Sequence, residues 1–402
     1  MAASIFDRVE LAPRDPILGL NEAFAADPRP NKVNLGVGVY YDEDGKIPLL
    51  RAVRDAERAL VEKPMPRGYL PIEGSAAYDA SVQRLLFGRD SPLVDSGRLV
   101  TAQALGGTGA LKVGADFLRR VLPDARVLIS DPSWENHRAL FEAAGFAVGT
   151  YPYYDPATRG LNFAGMKAAL QAAPPATIIV LHACCHNPTG VDLDESQWAE
   201  VVRITGDRKL VPFLDIAYQG FGEGIDADAA AVRLFAAAGL PVFIASSFSK
   251  SFSLYGERVG ALTVVTANKD EAARVLSQLK RTIRTNYSNP PRHGAAVVTA
   301  VLDDSRLRAL WEQELQAMRE RIKGLRQQLV EGLQRHGTSG DFSFIIRQRG
   351  MFSYTGLTAQ QVERLREQFG IYAVSTGRIC VAALNAKNLE YVCASIAAVL
   401  KH

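Results

Sequence analysis

PVFIASSFSKSFSLYGERVGALTVV, residues 241–265, sets an apolar run on either side of a hydroxyl-rich connection. Pro241 to Ala245 has the unbroken apolar character of a strand buried in a parallel sheet, and Ala261 to Val265 repeats it. Lys250 therefore stands just past a strand end, among small hydroxyl residues, with Arg258 eight positions on. Ligands of open α/β sheets collect at strand ends. A lysine partly desolvated there favours the neutral amine, the form that attacks a carbonyl carbon to give a Schiff base. Ser247, Ser249 and Arg258 suit a phosphate, since hydroxyls donate singly and a guanidinium donates as a fork. A lysine among serines is more often a solvated loop residue, and this stretch alone leaves both readings open.

Working outward, apolar runs recur from Arg98 to Val265: RLVTAQAL, RVLIS, FAVGTYPY, TIIVLHACC, LVPFLDIA and PVFIASS. Helical runs fall between several of them, at 109–121, 136–144 and 195–205. Repeated βα units predict an α/β fold, a mostly parallel sheet covered by helices on both faces. From Ser305 to His336, Leu307, Leu310, Trp311, Leu315, Met318, Ile322, Leu325, Leu329 and Leu333 recur mostly every three or four positions. One helix of that span reaches roughly 45 Å, enough to link two domains. After Gly337, strands are predicted at 342–347, 351–354, 371–375 and 378–383, with helices at 359–369 and 389–401: an α+β unit. The first thirty residues, punctuated by Pro13, Pro16, Pro28 and Pro30, read as an arm with one helix at 17–25. Asn34 to Tyr41, NLGVGVYY, has the glycines of backbone that approaches a ligand or another chain closely.

The 402 residues, 48% hydrophobic and 22% charged with a net charge of +3, describe a globular chain with no basic cluster for a nucleic acid. No stretch approaches the roughly 18 apolar residues of a membrane span, and the N-terminal residues lack a signal-peptide core, so a cytoplasmic protein is expected. Cys184, Cys185, Cys380 and Cys393 have no metal spacing and read as small buried hydrophobes.

Four more constellations fall at strand ends. GGTGALK (Gly106–Lys112) opens a helix whose free amides can cradle an anion; Lys112 stands where a dinucleotide fingerprint needs glycine, so a lone phosphate fits better. It can also be a plain tight turn. In SDPSWENH (Ser130–His137), Trp134 can lie on an aromatic ring or belong to the core. In CCHNPTGV (Cys184–Val191), the turn presents the Asn187 amide. In FLDIAYQ, Asp215 sits in an apolar strand end and needs a cationic partner, either a nearby Arg or Lys or a protonated pyridine nitrogen. A Schiff-base lysine, a phosphate cup of Gly107, Thr108, Ser247, Ser249 and Arg258, a stacking Trp134 and an aspartate for a ring nitrogen together meet the requirements of pyridoxal 5'-phosphate.

SDPSWENH, HACCHNPTG, DIAYQGF, SSFSKSFSLYGERVG, NYSNPP, FSFIIRQRGMFSYTGL and the Gly377–Arg378 pair resemble the class I, fold type I aminotransferases, within them the aspartate and aromatic-amino-acid enzymes, over essentially the whole chain. The resemblance implies a seven-stranded large domain (47–317), a small domain from both chain ends (13–46 and 318–402), an arm (1–12) and a linking helix near 305–336. It implies that Lys250 carries the cofactor and shuttles the proton, that Asp215 backed by His137 keeps the pyridine nitrogen protonated, and that Tyr218 and Asn187 bond the ring oxygen. Arg378 would clamp the substrate α-carboxylate, and Gly38 belongs to a loop closing over substrate. Tyr69, Arg284, Ser288 and Asn289 match positions reaching into a neighbour's site, implying a homodimer. Tyr41, Ile47, Pro71, Trp134 with Glu135, and SLYGERVG resemble the aromatic branch; Val39, Thr108 and Asn289 resemble the aspartate branch. The expected activity is transfer of the amino group of tyrosine, phenylalanine and aspartate to 2-oxoglutarate, with a dedicated aspartate aminotransferase as the alternative. A β-eliminating or decarboxylating relative, or a silent regulatory module on this fold, are the competing classes.

Overall fold

The computed structural model describes residues 4–12, 17–338 and 340–401. The first three residues of the expected arm, together with Pro13 and Pro16, lie outside the described residues.

Seven strands build the central sheet: β1 (Leu99–Leu105), β2 (Arg126–Asp131), β3 (Ala147–Pro152), β4 (Ile178–His182), β5 (Val211–Ile216), β6 (Val242–Ser247) and β7 (Val259–Val265). Their order across the sheet is β1-β7-β6-β5-β4-β2-β3. Strands β6, β5, β4, β2 and β3 are parallel, as expected. Along β4 the side chains alternate between two apolar layers, Ile178 and Val180 on one face and Ile179 and Leu181 on the other. Each face is covered, which is why these strands read as unbroken apolar runs.

Strand β7 is antiparallel to both β6 and β1. A crossover between parallel strands takes a dozen or more residues and usually a helix. The connection 248–258 holds only a 3₁₀ turn, Tyr255–Glu257, so it folds straight back along the sheet. Lys250 therefore rides on a reversal at the end of β6.

Helix α1 (Gly106–Val121) starts directly at the end of β1, and α2 (Glu135–Ala143) follows β2. Helix α3 (Glu195–Arg208) opens with a capping box in which Asp194 and Gln197 exchange side-chain to backbone bonds. Helix α4 (Ser305–Arg335) is capped by the Asp304 carboxylate accepting from the Leu307 amide at 2.8 Å. The apolar stripe read from the sequence is buried along it, with Leu310 half-buried at its edge. Trp311 donates its indole N–H to the Ser251 carbonyl at 2.7 Å and stacks on Phe252 at 4.6 Å, so the long helix grips the lysine loop. Further helices that the sequence reading did not single out, among them Ala76–Phe87, Phe163–Ala172, Ala230–Ala237, Lys269–Asn286 and His293–Asp303, add to the cover.

The two ends of the chain meet. Val33–Asn34 pairs in parallel with Ile371–Tyr372, and Phe352–Tyr354 pairs antiparallel with Arg378–Cys380. Helices α5 (Ala359–Phe369) and α6 (Leu389–Leu400) pack on each other, and α6 packs on α4. The strand expected at 342–347 is instead the short helix Phe344–Arg347. Asp341 accepts from the Ser343 amide and hydroxyl, which turns the chain into a helical start, and a short apolar run does not itself distinguish strand from buried helix. The strand expected at 378–383 ends at Cys380, with Val381–Ala383 forming a 3₁₀ turn.

Candidate active site

The C-terminal ends of β1, β4, β5 and β6 open on one cleft of about 270 Å³. Gly38, Gly107, Thr108, Trp134, Asn187, Asp215, Tyr218, Ser247, Ser249, Lys250, Arg258 and Arg378 all line it. Residues far apart in sequence thus converge because most of them lie at or just past a terminus of a central strand, with Gly38 and Arg378 brought in from the two chain ends.

One end of the cleft is an anion cradle. The β1–β7 register sets Val259 opposite Leu105, which brings Arg258 beside the first turn of α1. Gly106 has φ +70° there, and a Cβ on it would fall 2.5 Å from Arg258 Nη2. Only glycine admits the guanidinium at that point. Arg258 donates to Ser249 Oγ at 3.4 Å and to the Tyr255 carbonyl at 3.0 Å. Gly107 and Thr108 contribute first-turn amides that no helical carbonyl satisfies. Among the described residues Arg258 forms no ion pair with a carboxylate, so an exogenous anion is the natural partner.

At the centre, His137 Nε2 and Asp215 Oδ2 lie 2.9 Å apart, and Ser133 Oγ fixes His137 Nδ1 at 3.0 Å. The partner of Asp215 is therefore a histidine, not a lysine or arginine. Its other oxygen, Oδ1, is buried with no hydrogen-bond partner. Burial pushes the Asp215 carboxyl up, but the hydrogen bond and charge of His137, with His182 and Lys250 adding, outweigh it and leave it below the ordinary carboxylate value. An anionic oxygen left bare in a buried site costs several kcal/mol unless a cationic N–H meets it. Trp134 stands edge-on to His137, ring centroids 5.3 Å apart, and forms a wall.

Lys250 lies 5.0 Å from the Tyr218 ring centroid. Burial brings its amine down to about 8, against the upward pull of Asp215 and with Arg258 adding to the fall. The sign is that of a lysine depressed by folding: the neutral, nucleophilic amine gains as pH rises through about 8, and below it the fold must charge a buried group. Labelling of Lys250 in the cofactor-free protein by an aldehyde, trapped with borohydride, should rise with a midpoint near 8. A midpoint near the free-lysine value of about 10.4 would show a solvated amine instead.

The opposite end holds Arg378, 2% exposed. Its Nη1 donates to Asn187 Oδ1 at 3.1 Å and its Nη2 to the Gly36 carbonyl at 2.6 Å, while its guanidinium stacks 4.4 Å from the Phe352 ring centroid. Its Nε has no partner, and among the described residues no carboxylate pairs with it. A buried, stacked fork of this kind is shaped for a carboxylate. Gly38 is tight against the same ring: a Cβ would fall 2.7 Å from Phe352 Cζ.

Besides the aliphatic Ile17 and Ala217, three cleft residues, all with rings, escaped the sequence reading: His182, Tyr255 and Phe352. Both ring nitrogens of His182 are buried without a partner, and burial, with the neighbouring His186 and His137, holds it well below the ordinary histidine value. Tyr255 accepts from the Tyr40 amide at 2.9 Å. All three lie inside stretches already singled out. Their signal was one of spacing, Tyr255 three residues before Arg258 and His182 level with Asp215 in the β4–β5 register. Tyr69 and Arg284, by contrast, do not reach this cleft. Tyr69 is 94% exposed, and Arg284 is exposed and bonded to Ser288 on its own helix end. Asn289 ties that end to the Leu70 carbonyl at 3.0 Å, so Tyr69 and Arg284 share one outer face.

Residues 30–396 match the family described as aminotransferase class I and II. An aspartate aminotransferase of Pseudomonas aeruginosa is 68% identical over 99% of this chain and 100% of its own length. An aromatic-amino-acid aminotransferase of Escherichia coli is 53% identical over 98% of this chain and 100% of its own. The crystal structure of an aromatic-amino-acid aminotransferase from Burkholderia pseudomallei, covalently bound to pyridoxal phosphate, superposes with a TM-score of 0.97 at 73% identity, covering 99% of this chain and 100% of that one. With its fold, the order of its motifs and nearly its full length matched, this chain belongs to the class I and II aminotransferases.

Proposed function

We propose that the chain is a pyridoxal-5'-phosphate transaminase that moves the amino group of tyrosine, phenylalanine and aspartate to 2-oxoglutarate by a ping-pong route. The observation that carries this is the trio of unmet demands in one cleft: a buried amine near neutrality, a bare carboxylate oxygen, and two carboxylate-free arginines at opposite ends. The cradle of Gly107, Thr108, Ser247, Ser249 and Arg258 would take the phosphate, Asp215 Oδ1 the ring N–H, Tyr218 and Asn187 the ring oxygen, and Trp134 the ring face. When bound, the cofactor supplies an electron sink for the bonding pair left at the substrate α-carbon. Arg378 holds the α-carboxylate and so orients the α-hydrogen towards Lys250. The Lys250 amine takes that proton and returns it. His137 steadies the charge of Asp215, and the Trp134 and Phe352 rings line the cleft on its apolar side.

A second copy of this chain is part of the proposal. Leu11, Val61, Met65 and Tyr69 are large apolar side chains standing exposed. Leu11 belongs to the arm, and the Tyr69–Arg284 face would complete the partner's cleft. The division into an arm (1–12), a large domain (47–317) and a small domain (13–46 and 318–402) that closes over substrate belongs to the same reading. So does a cytoplasmic location, which four free, buried cysteines fit. No described helix is long and apolar enough to cross a membrane.

Turnover of tyrosine, phenylalanine and aspartate with 2-oxoglutarate by the purified enzyme tests the substrate range. Aspartate turnover with no aromatic turnover would instead support a dedicated aspartate aminotransferase, a reading compatible with the Pseudomonas aeruginosa relative. Arg284 is assigned to the distal carboxylate. Arg284→Leu should lower kcat/KM for aspartate by roughly two to three powers of ten and leave phenylalanine within a few-fold. Equal losses on the two substrates would remove that assignment.

A further inference from the structure

Arg326, on α4, is 1% exposed, outside the cleft, and has no carboxylate partner among the described residues. Burial lowers its pKa only to about 10, so it is a cation at neutral pH. Its two terminal nitrogens are spent on the single segment 345–353. Nη1 donates to the Ile345 carbonyl at 3.3 Å and to Ser353 Oγ, and Nη2 donates to the carbonyls of Gly350 at 2.7 Å and Phe352 at 2.5 Å. A buried charge satisfied by three carbonyls and one hydroxyl of a single segment pins the path of that segment, because any displacement strands the charge.

The pinned turn leads into the substrate end of the cleft. Phe352 carries the ring under Arg378, and its strand pairs with the one bearing Arg378. The Phe352 carbonyl that Arg326 holds also abuts the NPTG turn: a Cβ on Gly190 would fall 2.9 Å from it, and the Arg349 amide donates to the Gly190 carbonyl at 2.7 Å. That turn presents Asn187, which receives Arg378 Nη1. We infer that Arg326 is a positioning residue for substrate carboxylate binding, setting the Phe352 ring and the Asn187 turn that together aim the Arg378 fork. This rests on reading Arg378 as the α-carboxylate clamp.

The test compares the holoenzymes of Arg326→Met, Arg326→Lys and Arg378→Ala, using phenylalanine and its decarboxylated analogue 2-phenylethylamine. Misplacement of a binding fork by about 1 Å costs up to roughly 10²-fold. Arg326→Met should therefore raise KM for phenylalanine by roughly 10- to 100-fold, with kcat, cofactor affinity and reaction with the amine within a few-fold. Arg326→Lys, which keeps the charge but not the fork, should fall between. Should Arg326→Met not fold, the lysine variant decides: a raised KM with cofactor affinity kept supports the inference, and an unchanged KM overturns it. Losses that fall equally on amine and amino acid, or on cofactor affinity, mean a merely structural arginine and also overturn it. Arg378→Ala separates the two levels. If it still discriminates amino acid from amine as the parent does, the clamp reading fails and takes this inference with it; if discrimination is lost there but not in the Arg326 variants, only this inference falls.

Discussion

Replacing Lys250 with alanine should abolish transamination, lowering kcat on the order of 10⁴-fold or more, and should remove the visible absorbance of the lysine-bound cofactor. Two losses coincide. On the proposed reading the covalent anchor disappears, and so does the base that moves the α-proton, a contribution that by itself is typically 10²- to 10⁴-fold. The site gives no understudy. Tyr218, the side chain whose ring lies 5.0 Å from the amine, is held well above the ordinary tyrosine value by burial and is a poor base at neutral pH. The phosphate cradle is untouched by the substitution, so the variant should still bind the cofactor, without covalent attachment. Absorbance, a borohydride-trapped peptide map and steady-state rates measure the three consequences separately. A variant that keeps its colour and its turnover would place the amine elsewhere.

Asp215→Asn is expected to be the next most damaging change, lowering kcat by roughly 10²- to 10³-fold, the range found when one preorganised electrostatic group is removed from a buried site. Asparagine keeps the shape and can still meet His137, but it cannot hold the negative charge that faces the cleft through Oδ1. The folded carboxyl lies below its ordinary value, so its anionic form is kept throughout the neutral range and is lost only as the pH falls through the lowered value. Activity limited by Asp215 should therefore have no acid limb near neutrality. Rates within a few-fold of the parent for Asp215→Asn would show that the carboxylate is a structural partner of His137 only.

The sequence was most readable where chemistry and periodicity coincide. Glycine, serine, aspartate and asparagine at the ends of apolar runs are conspicuous because such runs bury both faces, and the nine residues read there (Gly107, Thr108, Trp134, Asn187, Asp215, Ser247, Ser249, Lys250 and Arg258) all line the cleft, whereas Gly38, Tyr218 and Arg378 were reached through resemblance. The direction of β7 was not readable, since Ala261–Val265 is apolar whichever way it runs. The short link before it is what reverses it. Phe352 was missed because a phenylalanine near a strand reads as core, and its role comes only from Arg378 stacking on it. Phe344–Arg347 went astray because a four-residue helix has no period to show. Tyr69 and Arg284 were found through resemblance alone; neither lines the cleft of its own chain.

The meeting of the chain ends bears on biosynthesis. Gly36, near the start, supplies the carbonyl that Arg378, near the finish, holds at 2.6 Å, and Val33–Asn34 waits for Ile371–Tyr372 as its neighbour. While the ribosome is still translating, the sheet that bears Lys250 can close, but the glycine segment has nothing to pair with until the last residues emerge. A nascent or prematurely terminated polypeptide would thus hold most of its lysine pocket and lack its grip on amino acids, making competence a property of the finished product.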